Sequence, residues 1–286
     1  RVTIYTPDIE QKSAVREQGH SRARQAIDGG HLRLAYQPII ELSTLKPHAA
    51  EALLRIESAE APMTTSEFIR IAEESGLIVP VGDFVTHSGL AASNRLCGAA
   101  GGLEYLSINI SPRQLEVSFM TGLVSRLRAR HQLARHLTFE ITETALLGNE
   151  EQTRAFFAEL RSLGARIALD DFGTGYSSLS HVTRYPVDVV KLDRSFVRSI
   201  DNPLVAGAQR NQALVKAAAI LCAELGIDLI AEGIETEAEL QTLREFGIRY
   251  GQGFLFSRAL PEQAFSEWAR AFAARPRTPQ PATLAG

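Results

Sequence analysis

Strand-like apolar runs in this 286-residue chain are interrupted in seven places by polar side chains: Glu51, Asn109, Glu140, Asp170 with Asp171, Lys191, Glu232 and Gln252. A carboxylate buried alone is costly unless it is paired or holds a cation. One lysine cannot neutralise five carboxylates, so the set calls for added positive charge. Ligation by carboxylates and a carboxamide carbonyl suits hard divalent cations such as Mg2+ or Mn2+, and the number of anions leaves room for two. Two such ions roughly 3.5–4 Å apart form a clamp for in-line displacement at phosphorus, so the implied chemistry is phosphoester hydrolysis. Zinc held by histidines is disfavoured, because the seven histidines are scattered with no H-E-x-x-H or comparable spacing.

For these residues to meet, separate elements must carry them to one place. Runs rich in Val, Ile and Leu mark strands near 33–41, 48–56, 105–110, 137–142, 166–170, 187–192, 227–232 and 248–256. Helical stripes lie between them. Phe156, Phe157, Leu160 and Leu163 form one, closed by Gly164, and Leu214, Ala218, Leu221, Cys222 and Leu225 form another, closed by Gly226. A capping box from Thr64 to Glu67 opens a helix that stops at Gly76. Strands alternating with helices predict an α/β fold, and eight strands in this length predict a closed (β/α)8 TIM-like barrel whose strand ends converge on one face. One connection departs from the pattern. Leu42 to Pro47 is too short for a parallel crossover, so the first strand should run antiparallel to the second.

Composition limits the alternatives. With 45% hydrophobic and 22% charged residues the chain can bury a large core, and no internal repeat or low-complexity segment precedes the tail. Thirty basic against 33 acidic residues, with no basic run, exclude a polymeric nucleic-acid partner. Cys97 and Cys222 lie in apolar, helix-like stretches without C-x-x-C spacing, which indicates neither a disulfide framework nor a zinc site. No run reaches the ~18 apolar residues of a membrane span and no secretory signal is present, so the expectation is cytoplasmic. The chain divides into a linker strand and helix over 1–29, the barrel over 30–273, and a proline-bearing tail over 274–286 expected to be disordered.

At these residues the sequence resembles the EAL-domain cyclic di-GMP phosphodiesterase family. The motifs are Tyr36-Gln37-Pro38-Ile39, Glu51-Ala52-Leu53-Leu54-Arg55, Asn109 within Ser107-Ile108-Asn109-Ile110-Ser111, Glu140-Ile141-Thr142-Glu143, Asp170-Asp171-Phe172-Gly173-Thr174-Gly175, Lys191-Leu192-Asp193, Glu232-Gly233-Ile234-Glu235 and Gln252-Gly253-Phe254. They follow the family's order over about residues 30 to 268.

The resemblance implies cyclic di-GMP as substrate, linear pGpG as product, and an antiparallel first strand. It implies Glu51, Asn109, Glu140, Asp170, Asp171 and Glu232 as metal ligands, with Gln252 nearby. Lys191 is implied beside the attacking water, as base or as an orienting charge. Arg55 is implied on a substrate phosphate, and Gln37, Leu54, Asp193 and Glu235 as further contacts. Glu143, Phe172, Gly173, Thr174 and Gly175 resemble the family's regulatory loop and its anchor, which couples dimer contacts to metal occupancy, so a homodimer is expected. The alternative is a catalytically silent receptor for cyclic di-GMP; here every ligand position and Lys191 are filled. The opening residues resemble the junction after a GGDEF domain, implying upstream GGDEF or sensory modules.

Other residues carry simpler expectations. His131, His136 and His181 read as surface residues, and Phe265, Trp268 and Phe272 as core at helical spacing. Arg70, Tyr185 and Gly251 depart from the family's usual residues, all outside the presumed ligands.

Overall fold

A computed structural model describes residues 7–57, 63–147, 149–173, 178–202, 204–205 and 207–275. Strands with no exposed face must be covered on both sides, as the fully buried Val189–Leu192 and nearly fully buried Leu137–Thr142 require. The chain meets that need by closing the sheet on itself and wrapping it with helices. The strands are β1 (Leu32–Glu41), β2 (Lys46–Ile56), β3 (Leu106–Ile110), β4 (Leu137–Thr142), β5 (Arg166–Phe172), β6 (Val189–Leu192), β7 (Asp228–Ala231), β8 (Tyr250–Gly251) and β9 (Leu260–Pro261). The longer helices are α1 (Pro7–Asp28), α2 (Thr65–Ser75), α3 (Ile78–Leu96), α4 (Val117–Ala129), α5 (Glu150–Ser162), α6 (Ser178–Arg184), α7 (Ala208–Leu225), α8 (Glu237–Glu245) and α9 (Glu262–Ala273).

β2 to β8 run parallel in sequence order. β1 closes the ring between β8 and β2, antiparallel to both, as the short Leu42–Leu45 turn demands. β9 adds a two-residue pairing onto β1. The result is a closed eight-stranded α/β barrel with one reversed strand. β8 is shorter than the 248–256 run suggests. At Gly253 the chain presses onto the Ile234 backbone so closely that a Cβ would stand 2.0 Å from its carbonyl oxygen, and Gln252 and Leu255 bond to Ile234 instead of extending a ladder.

Period two places the site. Ile39, Ala49, Tyr105, Ala168, Val189, Ile230 and Tyr250 form an apolar cluster of their own, separate from the main core. Two residues further along five of these strands, on the same inward face, stand Glu51, Asp170, Lys191, Glu232 and Gln252. The apolar layer is therefore a floor, and the polar layer above it faces the C-terminal mouth.

The helices largely follow their sequence signals. Thr64 Oγ1 accepts the Glu67 amide to open α2, and Gly76, at φ 76°, ends it. The second predicted stripe is rotated. α7 buries Val215, Ala218 and Cys222, whereas Leu214 and Leu225 are 45% and 47% exposed, because the helix turns its small residues rather than its leucines toward the barrel. α1 lies against α2, burying Ala23 and Ala26, with Arg16 3.6 Å from Glu74. Phe265 and Phe272 of α9 are buried and Trp268 stacks on Phe272, as the spacing predicts. The expected opening strand over 1–5 and most of the expected tail lie outside the described residues.

Candidate active site

Lys191 stands at the centre of the polar layer, 1% exposed. Its Nζ lies 2.7 Å from Glu140, 2.8 Å from Glu232, and 3.4 Å from both Glu51 and Asp170. Four strand ends thus meet at one ammonium. Two carboxamides link the carboxylates. Asn109 Nδ2 donates to Glu51 Oε1 at 2.9 Å, and Gln252 Nε2 donates to Glu51 Oε2 at 2.8 Å and to Glu232 Oε1 at 3.1 Å. Asn109 and Glu140 are direct neighbours in the β3–β4 register.

Charge is unbalanced here, and the acidities reflect it. Burial pushes the Glu140 carboxyl well above its ordinary range, with Glu51 adding to the effect and Lys191 opposing it. Burial likewise lifts Glu232 to about 7 against the pull of Lys191. Asp171 is raised by burial and by Asp170 and Asp193. For Lys191, burial favours the neutral amine, but Glu140, Glu232, Glu51 and Asp170 together hold the ammonium well above its usual range. For Glu51, burial is outweighed by Lys191 and by the Gln252 and Asn109 amides, so it stays ionised.

Asp170 and Asp171 are consecutive, and in a regular strand their side chains would point to opposite faces. The register breaks between Leu169 and Phe172, and Asp171 takes φ 56°, a left-handed conformation that costs energy outside glycine. The kink brings Asp171 within reach of the charges of Asp170, Asp193, Lys191 and Glu51. Gly173 follows at φ 97°, against the Phe196 ring.

The remaining expected residues lie around this layer, with Gln37 opposite Glu51 in the β1–β2 register. Gln37 Nε2 donates to Ser257 O at 3.3 Å, and Arg55 Nη1 to Leu54 O at 2.8 Å. Asp193 Oδ1 accepts the Ser195 amide at 3.0 Å, capping a short helical turn, and Glu235 is exposed after β7. Glu143 is buried after β4, while Phe172 ends β5, buried. Thr174 and Gly175 lie outside the described residues.

Three further residues join the site's surroundings. His181, expected at the surface, is buried: α6 stacks it on Tyr185 and turns Nε2 to within 3.9 Å of Glu143. Glu239 accepts the amides of Ser199, Glu235 and Thr236, tying the loop after β6 to the one after β7. The capping-box spacing Thr236 to Glu239 was its signal in the sequence. Glu73 accepts from Ser111 Oγ at 2.7 Å, and no local motif connects that pair.

Among the described residues no three His, Cys, Asp or Glu side chains stand in cation-binding geometry, since Lys191 Nζ occupies the space between the carboxylates. The donor set nevertheless fits a hard divalent cation. Every candidate donor atom is oxygen, and Glu140 Oε1, Asp170 Oδ1 and Gln252 Oε1 are buried without a hydrogen-bond partner.

The sequence and the barrel are similar to those of known proteins. Cyclic di-GMP phosphodiesterase PdeR of Escherichia coli strain K12 is 35% identical over 274 residues, covering 95% of this chain, which spans 40% of PdeR. The cAMP-bound structure of the EAL enzyme Bd1971 superposes with a TM-score of 0.80 at 31% identity, covering 92% of this chain and 72% of that one. The cyclic di-GMP complex of the PaMucR phosphodiesterase superposes with a TM-score of 0.77 at 31% identity, covering 87% of this chain and 99% of that one. The EAL domain family model matches residues 20–259, and the chain belongs to the EAL domain family.

Proposed function

We propose that this chain hydrolyses cyclic di-GMP to linear pGpG and depends on two divalent cations, Mg2+ or Mn2+. The observation that carries the reading is the convergence of carboxylates on a buried Lys191 at the mouth of the barrel. The names of PdeR and PaMucR, a cyclic di-GMP phosphodiesterase and a phosphodiesterase bound to cyclic di-GMP, support the substrate.

Glu51, Asn109, Glu140, Asp170, Asp171 and Glu232 would hold the cations, with Gln252 keeping Glu51 and Glu232 in register. When bound, the cations lower the pKa of water and neutralise charge on the phosphoryl oxygens. Without bound cations the surrounding carboxylates hold Lys191 as an ammonium; beside the cations it would stand next to the attacking water, as the base that takes its proton or as the charge that orients it. Arg55 takes a phosphate oxygen, and Gln37, Leu54, Asp193 and Glu235 flank the rest of the ligand. Glu143 anchors the loop from Phe172 through Gly175. The water oxygen bonds to phosphorus as the bond to the 3′ oxygen breaks; that oxygen takes a proton, leaving a 3′-hydroxyl and a 5′-phosphate. The expected homodimer would cover the exposed Leu214 and Leu225, which share one side of α7, so Leu214→Glu should shift a dimer to monomer in sedimentation.

The test is incubation of the purified chain with cyclic di-GMP and Mg2+ or Mn2+, read by chromatography beside Glu51→Ala and Lys191→Ala. Wild type should yield pGpG and both variants should not. Tight binding without product would make the chain a receptor and overturn the reading.

A further inference from the structure

Glu239, the third residue of α8, is 5% exposed, and its carboxylate has no basic partner among the described residues. Backbone amides and the N-terminal end of α8 answer its charge instead. Oε2 accepts the Thr236 amide at 3.1 Å and the Glu235 amide at 2.9 Å, while Thr236 Oγ1 accepts the Glu239 amide in return at 3.1 Å. That reciprocal pair completes the helix cap with one carboxylate oxygen. The other oxygen is surplus to capping. Oε1 accepts the amide of Ser199, 40 residues earlier in the loop after β6, at 3.0 Å.

The Ser199 end of this contact is strained. Ser199 takes φ 58°, a left-handed conformation that costs energy in a residue with a side chain, and such strain persists only where surrounding contacts impose it. The same two loops also press together nearer the barrel, where a Cβ on Gly233 would stand 2.5 Å from Cβ of Arg194. Glu232 needs neither contact, because Leu192 O already accepts its amide at 3.1 Å. What the two contacts fix is the gap between Asp193, at the head of the β6 loop, and Glu235, in the β7 loop, so a ligand touching both meets them already in place. We propose that Glu239 is a positioning residue that braces the β6 loop against the β7 loop and so sets the separation of Asp193 and Glu235 for the ligand. The assignment rests on the cyclic di-GMP reading above and adds the residue that holds two of its contacts apart.

The experiment measures kcat and KM with Mn2+ on cyclic di-GMP and on bis(p-nitrophenyl) phosphate, a small ester without nucleosides, with calorimetric affinities for cyclic di-GMP and for Mn2+ alongside. Glu239→Gln leaves one acceptor oxygen for three amides. It should raise KM and Kd for cyclic di-GMP by about tenfold and change kcat by less than about threefold, the pattern for contacts made equally in ground and transition state. Its kcat/KM on the small ester and its Mn2+ affinity should stay within about twofold of wild type. Gly233→Ala, whose methyl would wedge the same loops apart, should show the same split. Thr236→Ala removes the helix cap but leaves the brace, so it should lower the melting temperature with KM within about twofold of wild type. Unchanged KM in Glu239→Gln would overturn the proposal. So would an equal rise of KM in Thr236→Ala, which would make Glu239 a helix cap, or a parallel loss on the small ester, which would place its effect in the metal ring. If Glu239→Gln does not fold, Gly233→Ala decides by the same criteria. Wild type that binds cyclic di-GMP without turning it over would overturn only the hydrolytic reading, and the Kd values would then decide the brace. Wild type that does not bind cyclic di-GMP would overturn both.

Discussion

The ammonium of Lys191 lies 2.7 Å from Oε2 of Glu140, and the two side chains are 1% and 0% exposed. A pair so fully buried is strong only while both members remain, because removing one strands the other in a low-dielectric interior. The Glu140 carboxyl already holds its proton well above its ordinary range because of burial and of Glu51, so Lys191 is its main counterweight.

Lys191→Met keeps most of the side-chain volume and removes the charge. Turnover of cyclic di-GMP should fall by about 100-fold or more, the order expected for losing a preorganised charge at the reacting centre. The metal-free variant should lose on the order of 3 kcal/mol in urea unfolding at about pH 7.5. Activity within twofold of wild type would contradict the central role given to this ammonium.

Stability without metal should depend on pH in a defined direction. Glu232 keeps its proton to about 7 in the folded chain against 4.5 as a free side chain, and Glu140 and Asp171 shift the same way. Between those values the unfolded chain sheds protons that the folded chain retains. The stabilisation is therefore complete below about pH 4.5 and is lost as pH rises through the folded value, on the order of 3 kcal/mol for Glu232. In chelator, the urea midpoint should fall from about pH 5 to about pH 7.5, and added Mn2+ should reverse the fall with release of protons. A midpoint that rises over this range would contradict the assignment.

Gln252 holds Glu51 and Glu232 with one amide nitrogen. Gln252→Ala should weaken Mn2+ binding by about 10- to 100-fold, the range for loss of a group that orients metal ligands, with a smaller effect on global unfolding. Calorimetric titration of metal into the variant provides the measurement. Equal affinity in wild type and variant would mean that the carboxylates are oriented by other contacts.

Glu143 is buried between the end of β4 and α6, facing His181 and lying one helical turn from Leu146, whose carbonyl accepts the Tyr185 hydroxyl. Glu143→Ala should lower kcat by about tenfold, a loop-gating effect, while leaving cyclic di-GMP affinity nearly unchanged. Unchanged turnover would remove Glu143 from any role in the loop.

Much of the arrangement was legible in residue order, for a local reason. Strand burial and side-chain alternation are properties of short segments, so the runs that became β1 to β7, the reversed first strand required by Leu42–Pro47, and the polar residues that interrupt those apolar runs could be read directly. The oxygen-rich identity of those residues was enough to imply a hard cation and phosphoester chemistry. What depended on distant contacts could not be read this way. Which face of α7 turned inward, the burial of His181 against Tyr185 and Glu143, and the meeting of Glu73 with Ser111 all depend on partners far away in sequence. The same holds for Lys191. Its type and strand position were written in the chain, but its contact with four carboxylates, and the proton affinities that follow, exist only because barrel closure brings separate strand ends within 3.4 Å of one nitrogen.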